Sequence, residues 1–184
     1  MSSKDDLFDL VILGSGAAAL AAAVTGAAQG LKVVVLERDG LIGGTSAISG
    51  GAIWIALSRQ AEAGGYRDSL DAARLYLKSL IGNHYNSDLV EAFLARGREA
   101  LAFLEDHTEV RYSVRALSPD YHPDLPGATD NGRALEVASY DGRKLGSWFE
   151  KLRAPPPGMM LFGGMMVSRW RRSTPPARRP RNGS

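Results

Sequence analysis

The chain has no cysteine. That excludes a disulfide framework, thiolate metal ligands and a cysteine nucleophile, and it fits an intracellular setting. Histidine is nearly as scarce. His84, His107 and His122 are the three present, and their spacing matches no zinc-ligand pattern, so no metal site is expected. A membrane-spanning run is also missing, because Lys32, Glu37 and Arg38 interrupt the one candidate region, and no transmembrane segment is expected. The residues before that region, "SSKDDLFD", carry three aspartates and one lysine, the wrong charge for the start of a secretion signal. The expectation is a soluble, cytoplasmic protein.

What is present supports a folded domain. Hydrophobic residues make up 45% of 184, enough for a real core. The net charge of +2 hides an asymmetry: six of the 22 basic residues are arginines at positions 169–184, where there are no acids. The remaining 16 basic residues face 20 acidic ones. Residues 169–184 combine Arg and Pro without hydrophobic periodicity, so disorder is expected there. Those arginines could hold phosphate non-specifically, but Trp170 is the one aromatic among them, and no specific nucleic-acid partner is expected.

Near the start, "LFDLVIL" (7–13) reads as a buried parallel strand, "AAALAAAVTGAAQ" (17–29) as a helix ending at Gly30, and "LKVVVLE" (31–37) as a second strand. Strand, turn, helix and strand in about thirty residues make a βαβ unit. Its turn has the spacing of a dinucleotide fingerprint. Gly14 permits the tight turn, and Gly16 lets backbone approach a pyrophosphate. Ala19 keeps the helix close to the sheet, and the helix start offers N–H groups to the phosphate. Glu37 ends the second strand, about where an acid bonds a ribose hydroxyl and disfavours a 2′-phosphate. A turn needed only for close packing would explain Ala19 but not Glu37.

The next segment, "ERDGLIGGTSAISGG", separates FAD from NAD. A simple nicotinamide enzyme would continue with a helix. Here two more glycine pairs (Gly43–Gly44, Gly50–Gly51) and the hydroxyls of Thr45, Ser46 and Ser49 suit an extended ligand lying along backbone. A flexible surface loop is the competing reading, against which "AISGGAIWI" is strongly apolar.

Further along, helical spacing predicts helices over 68–81 and 87–107, the second with Ser87 as N-cap. Alternation predicts a strand over 110–117. A polar Pro/Gly loop follows over 118–133, and a short helix closes 141–152.

The segments "VILGSGAAAL", "VVLERDGLIGGTSAISGGAIWI", "PDYHPDLPGA", "GRALEVASYDGRKLG" and "FGGMMV" resemble the FAD-dependent flavoproteins of the fumarate reductase and succinate dehydrogenase superfamily. They are most similar to its 3-ketosteroid Δ1-dehydrogenase-like branch. The resemblance covers about 6–168. It implies an α/β fold: the N-terminal part of a Rossmann-like FAD-binding domain (1–60), then the α+β start of a substrate or cap domain (61–168), then the tail (169–184). By position, Gly14, Ser15, Gly16, Ala18 and Ala19 would hold the pyrophosphate. Glu37 would hold the ribose, with Arg38 beside it. Gly44, Thr45 and Ser46 would meet the phosphate and ribityl region, and Ser49, Gly50 and Gly51 the flavin ring.

The family's reaction moves a hydride between flavin and a carbon–carbon bond α,β to a carbonyl. A small-molecule substrate, a steroid or other unsaturated or ketone compound, and an external electron acceptor are thereby implied. Tyr121 resembles a family tyrosine that supports proton abstraction or lines the substrate pocket. A tyrosine packed in a Pro-rich loop is the plainer reading. Two alternatives stay open: a fumarate-reductase-like enoate reductase, and a truncated FAD-binding module without catalysis. The family's chains run several hundred residues, and the composition changes abruptly after Ser168. That break is what a frameshift would produce, an expectation checked by translating the neighbouring frames.

Overall fold

The computed structural model describes residues 7–161 and 165–166. The expected disorder of residues 169–184 therefore lies outside the described residues. Two compact units divide the chain, Met1–Ala154 and Pro155–Ser184.

The first unit opens with β1 (Leu10–Leu13), α1 (Ala17–Ala28) and β2 (Val33–Leu36). β1 and β2 pair in parallel, from Leu10 opposite Val33 to Leu13 opposite Leu36. This is the expected βαβ unit with a parallel sheet. α1 packs close because its residues are small. Buried Gly26 is the tightest point: a Cβ there would lie 2.9 Å from Leu10 Cδ2 and 3.1 Å from Val33 Cγ2. Ile12 faces inward and is buried, whereas Val11, Leu13 and Leu36 on the same two strands are exposed.

A second sheet has the order β3–β5–β4, all antiparallel, built from Ile53–Trp54, Ala134–Val137 and Tyr112–Val114. Its central strand, β5, was not anticipated; "ALEV" is too short to show alternation. β4 is shorter than the expected 110–117, and the 118–133 segment is a loop as expected. Helix α2 (Arg59–Ala63) was also missed; it starts where the buried Ser58 hydroxyl accepts the Ala61 N–H at 3.1 Å.

The two long helices form as their periodicity dictates. α3 spans Leu70–Ile81, with Ser69 accepting the Ala72 N–H at 3.0 Å. α4 spans Ser87–His107, but its N-cap is Asn86 rather than Ser87. Asn86 Oδ1 accepts the Leu89 N–H at 3.1 Å, and its amide carbonyl oxygen reaches the first turn from extended backbone. Ala73, Val90 and Leu94 from these helices bury together with Ala56, and Trp54, Leu77, Ile81 and Tyr85 pack around them. The expected helix at 141–152 is a 3₁₀ segment, Gly142–Lys151, broken at Gly146, whose φ is 55°.

The core is tied by one buried cation. Arg133, 1% exposed, donates to both carboxylate oxygens of Asp68 at 2.7 and 2.8 Å, and to Asp120 Oδ2 and the Gly127 carbonyl at 2.9 Å each. Trp54 Nε1 donates to the other Asp120 oxygen at 2.7 Å. The guanidinium also faces the Trp54 and Tyr76 rings.

In the second unit, a 3₁₀ turn at Pro157–Met159 leads into β6 (Met160–Leu161), which pairs antiparallel with β7 (Met165–Met166). No helix among the described residues is long and apolar enough to cross a membrane. Among those residues no group of three or more metal-ligating acids, histidines or cysteines is gathered.

Candidate cofactor site

The site starts where β1 ends. Gly14 turns the chain with φ of 89°, and its N–H donates to the Leu36 carbonyl at 2.7 Å, holding the turn against the end of β2. Ser15 follows and is 2% exposed. Its hydroxyl accepts the Gly43 N–H at 2.8 Å and donates to Glu37 Oε2 at 2.5 Å. The first glycine turn, the acid after β2 and the second glycine pair thus meet at one side chain.

Glu37 keeps its other oxygen, Oε1, on the Asp39 N–H at 3.0 Å. The Ser15 hydroxyl, followed by the Asp39 N–H, holds this carboxyl below the usual carboxylate range. At neutral pH it is an anion and an acceptor only.

The second glycine loop lies back to back with the first. Ser46 Oγ accepts the Ala17 N–H at 3.0 Å, and a Cβ at Gly16 would stand 3.4 Å from that oxygen. Gly43 and Gly44 have φ of 108° and 53°. A Cβ at Gly43 would lie 2.6 Å from the Ala47 Cβ, so only glycine fits. Thr45 precedes the 3₁₀ turn Ser46–Ile48, and the Ser49 hydroxyl closes that turn on the Ser46 carbonyl at 2.9 Å while accepting the Gly51 N–H at 3.1 Å. Gly51 abuts β5, where its Cβ would meet Val137 Cγ1 at 2.8 Å. Gly50 borders open space.

The residues expected at the phosphate and ribose are therefore neighbours: Gly14, Ser15, Gly16, Glu37, Gly44, Ser46. Ala18 is exposed in the first turn of α1, Ala19 is half-buried behind it, and Arg38 is exposed beside Glu37. Tyr121 stands apart in character. Its side chain is 95% exposed on the 118–133 loop, while the adjacent Asp120 is buried in the Arg133 network.

Two residues of the site had no sequence signal. Asp39 positions Glu37 through its N–H, and Arg153 binds the Asp39 carboxylate from 114 residues away. A long-range parallel bridge between Ile42 and Leu152 lies beside this pair in the sequence.

The arrangement suits a dinucleotide. Gly16 at the cap of α1 has no side chain to accept from the first turn, Ser46 Oγ takes the Ala17 N–H, and no acid sits in that turn, which leaves the positive end of the helix facing the glycine turns. A carboxylate with spare lone pairs suits ribose hydroxyls. The sequence matches the FAD binding domain family over residues 9–182. The chain belongs to that family. FAD is its cofactor, and the donor set and the Gly16 cradle described above fit that group.

This FAD-binding chain is 46% identical over 129 residues to a 4-oxocyclohexanecarboxylate 2-dehydrogenase of Sinomonas cyclohexanicum, covering 70% of this chain and 22% of that protein. It is 39% identical over 140 residues to a 3-oxosteroid 1-dehydrogenase of Mycobacterium tuberculosis, covering 76% and 25%. Its structure resembles the crystal structure of 3-ketosteroid Δ1-dehydrogenase from Sterolibacterium denitrificans in complex with 1,4-androstadiene-3,17-dione, with a TM-score of 0.81 and 34% identity over 88% of this chain and 28% of that one. The chain thus spans about a quarter of the length of these relatives.

Proposed function

We propose that this chain carries the adenosine-diphosphate-binding part of a flavoprotein dehydrogenase that acts on a ring ketone, removing hydrogen from the carbon–carbon bond α,β to the carbonyl. The single observation that carries the reading is the Ser15 hydroxyl joining Glu37 to Gly43, because it couples the ribose acceptor to both glycine turns. In this reading, the Glu37 carboxylate accepts the ribose hydroxyls, with Arg38 beside it. Gly14, Ser15, Gly16, Ala18 and Ala19 cradle the pyrophosphate at the start of α1. Gly44, Thr45 and Ser46 continue the cradle toward the ribityl chain, and Ser49, Gly50 and Gly51 lie along the flavin ring. Bound FAD supplies the two-electron oxidation.

The relatives' names share one chemistry, an oxo group on a ring, whether 4-oxocyclohexanecarboxylate or a 3-oxosteroid. That shared feature, rather than the steroid skeleton, is what we carry to this chain. Tyr121, on an exposed loop tip, is our candidate for lining the substrate pocket or supporting proton transfer, and an external acceptor reoxidises the cofactor. Residues 1–60 are the cofactor-binding part and 61–168 begin the substrate part. The fraction of the relatives that is covered favours a second reading, FAD binding without turnover. Calorimetric titration with FAD, followed by dye reduction with 4-oxocyclohexanecarboxylate and with a 3-oxosteroid, tests both. FAD binding with ketone-dependent dye reduction supports the first, FAD binding alone the second, and no FAD binding contradicts both.

A further inference from the structure

Resting on that FAD-binding reading, we infer that Arg153 is a positioning residue for the adenosine end of the cofactor, acting through Asp39 on Glu37. Three observations bring it there. The segment 151–153 adds a short parallel bridge to the loop after β2: the Ile42 N–H donates to the Lys151 carbonyl at 2.8 Å, and the Arg153 N–H donates to the Ile42 carbonyl at 2.9 Å. Arg153 Nη2 then donates to Asp39 Oδ2. Asp39 in turn gives its backbone N–H to Glu37 Oε1 at 3.0 Å.

The chain of contacts has a physical purpose. Asp39 stands two residues from Glu37, and two neighbouring carboxylates repel one another and any phosphate between them. Arg153 neutralises Asp39 and pulls it toward the 151–153 segment. Its backbone bridge fixes the turn that aims the Asp39 N–H. Glu37 is then left as the one uncompensated anion facing the ribose, held from one side by Ser15 and from the other by Asp39.

The test uses the 184-residue chain with FAD and ADP as calorimetric probes, and a urea midpoint for every variant. Arg153→Ala is expected to weaken both probes by about two- to fivefold, the scale of a partly exposed ion pair. Arg153→Lys keeps affinity within about twofold, because the charge still reaches Asp39. Arg143→Ala removes the same charge from an exposed position and leaves affinity unchanged. Asp39→Asn and Arg153→Ala together lose no more than the larger single loss, since they break one interaction. The inference is overturned if Arg153→Ala binds both probes like the wild type, if Arg143→Ala loses as much, or if the two losses add. Should Arg153→Ala fail to fold, Arg153→Gln decides: wild-type affinity for both probes there overturns the inference. A folded wild type that binds neither FAD nor ADP overturns the cofactor reading itself.

Discussion

Ser15 Oγ donates to Glu37 Oε2 at 2.5 Å and accepts the Gly43 N–H at 2.8 Å, so one buried hydroxyl fixes the ribose acid relative to both glycine turns. That relationship has a pH signature. Glu37 is held below the usual carboxylate range in the folded chain, mainly by Ser15. A lowered folded-state value means its contribution is complete above the ordinary glutamate range and is lost as pH falls through the lowered value. FAD affinity is expected to hold at mildly acidic pH and fall only in stronger acid. In Ser15→Ala the acid limb moves to higher pH. Affinity measured across pH for both proteins checks this, and coincident limbs would contradict it.

The glycine loop makes a sharper contrast. Gly43 combines φ of 108° with a Cβ position 2.6 Å from Ala47, while Gly50 borders open space. Gly43→Ala therefore displaces the loop, at about 1–3 kcal/mol of backbone strain, and shifts the backbone N–H that Ser15 accepts. Gly158→Ala, at an exposed position that also borders open space, leaves FAD affinity near the wild-type value. Titration of the two variants under one buffer distinguishes them.

Glu37 also sets nucleotide choice. A phosphate on the ribose 2′-oxygen would face an anion held by two donors. ADP carrying a 2′-phosphate is expected to compete with FAD about tenfold less well than ADP. Glu37→Gln narrows that gap; equal competition in the wild type would show that Glu37 does not face the ribose.

Arg133 holds the remainder of the first unit. Burial opposes its charge, and Asp68 and Asp120, with side chains 7% and 2% exposed, overcome that and keep the guanidinium protonated. Arg133→Met strands two buried carboxylates and is expected to lower unfolding free energy by about 3–5 kcal/mol. Urea unfolding measures it, and a loss under about 1 kcal/mol would mean that water reaches the pair.

How much of this was legible depended on how local each signal was. The βαβ unit, Glu37 and the glycine turns lie within residues 10–51; spacing linked the first turn to Glu37, and the family resemblance added the second glycine loop. The α3 and α4 faces were readable because twelve and twenty-one residues repeat one period. β5 was not, because four residues carry little pattern and its pairing with Ile53–Trp54 and Tyr112–Val114 is set by tertiary contacts. The N-cap moved from Ser87 to Asn86 because both residue types cap helices, and backbone geometry chose between them. Arg153 and Asp39 meet across 114 residues, and nothing in either local sequence announces the other.

The most direct test of the central claim is calorimetric titration of the folded 184-residue chain with FAD, ADP and riboflavin. The account predicts that FAD and ADP bind in competition with each other, that riboflavin binds more weakly than either, and that Ser15→Ala and Glu37→Gln each weaken ADP. ADP failing to bind, or riboflavin binding as tightly as FAD, would contradict it.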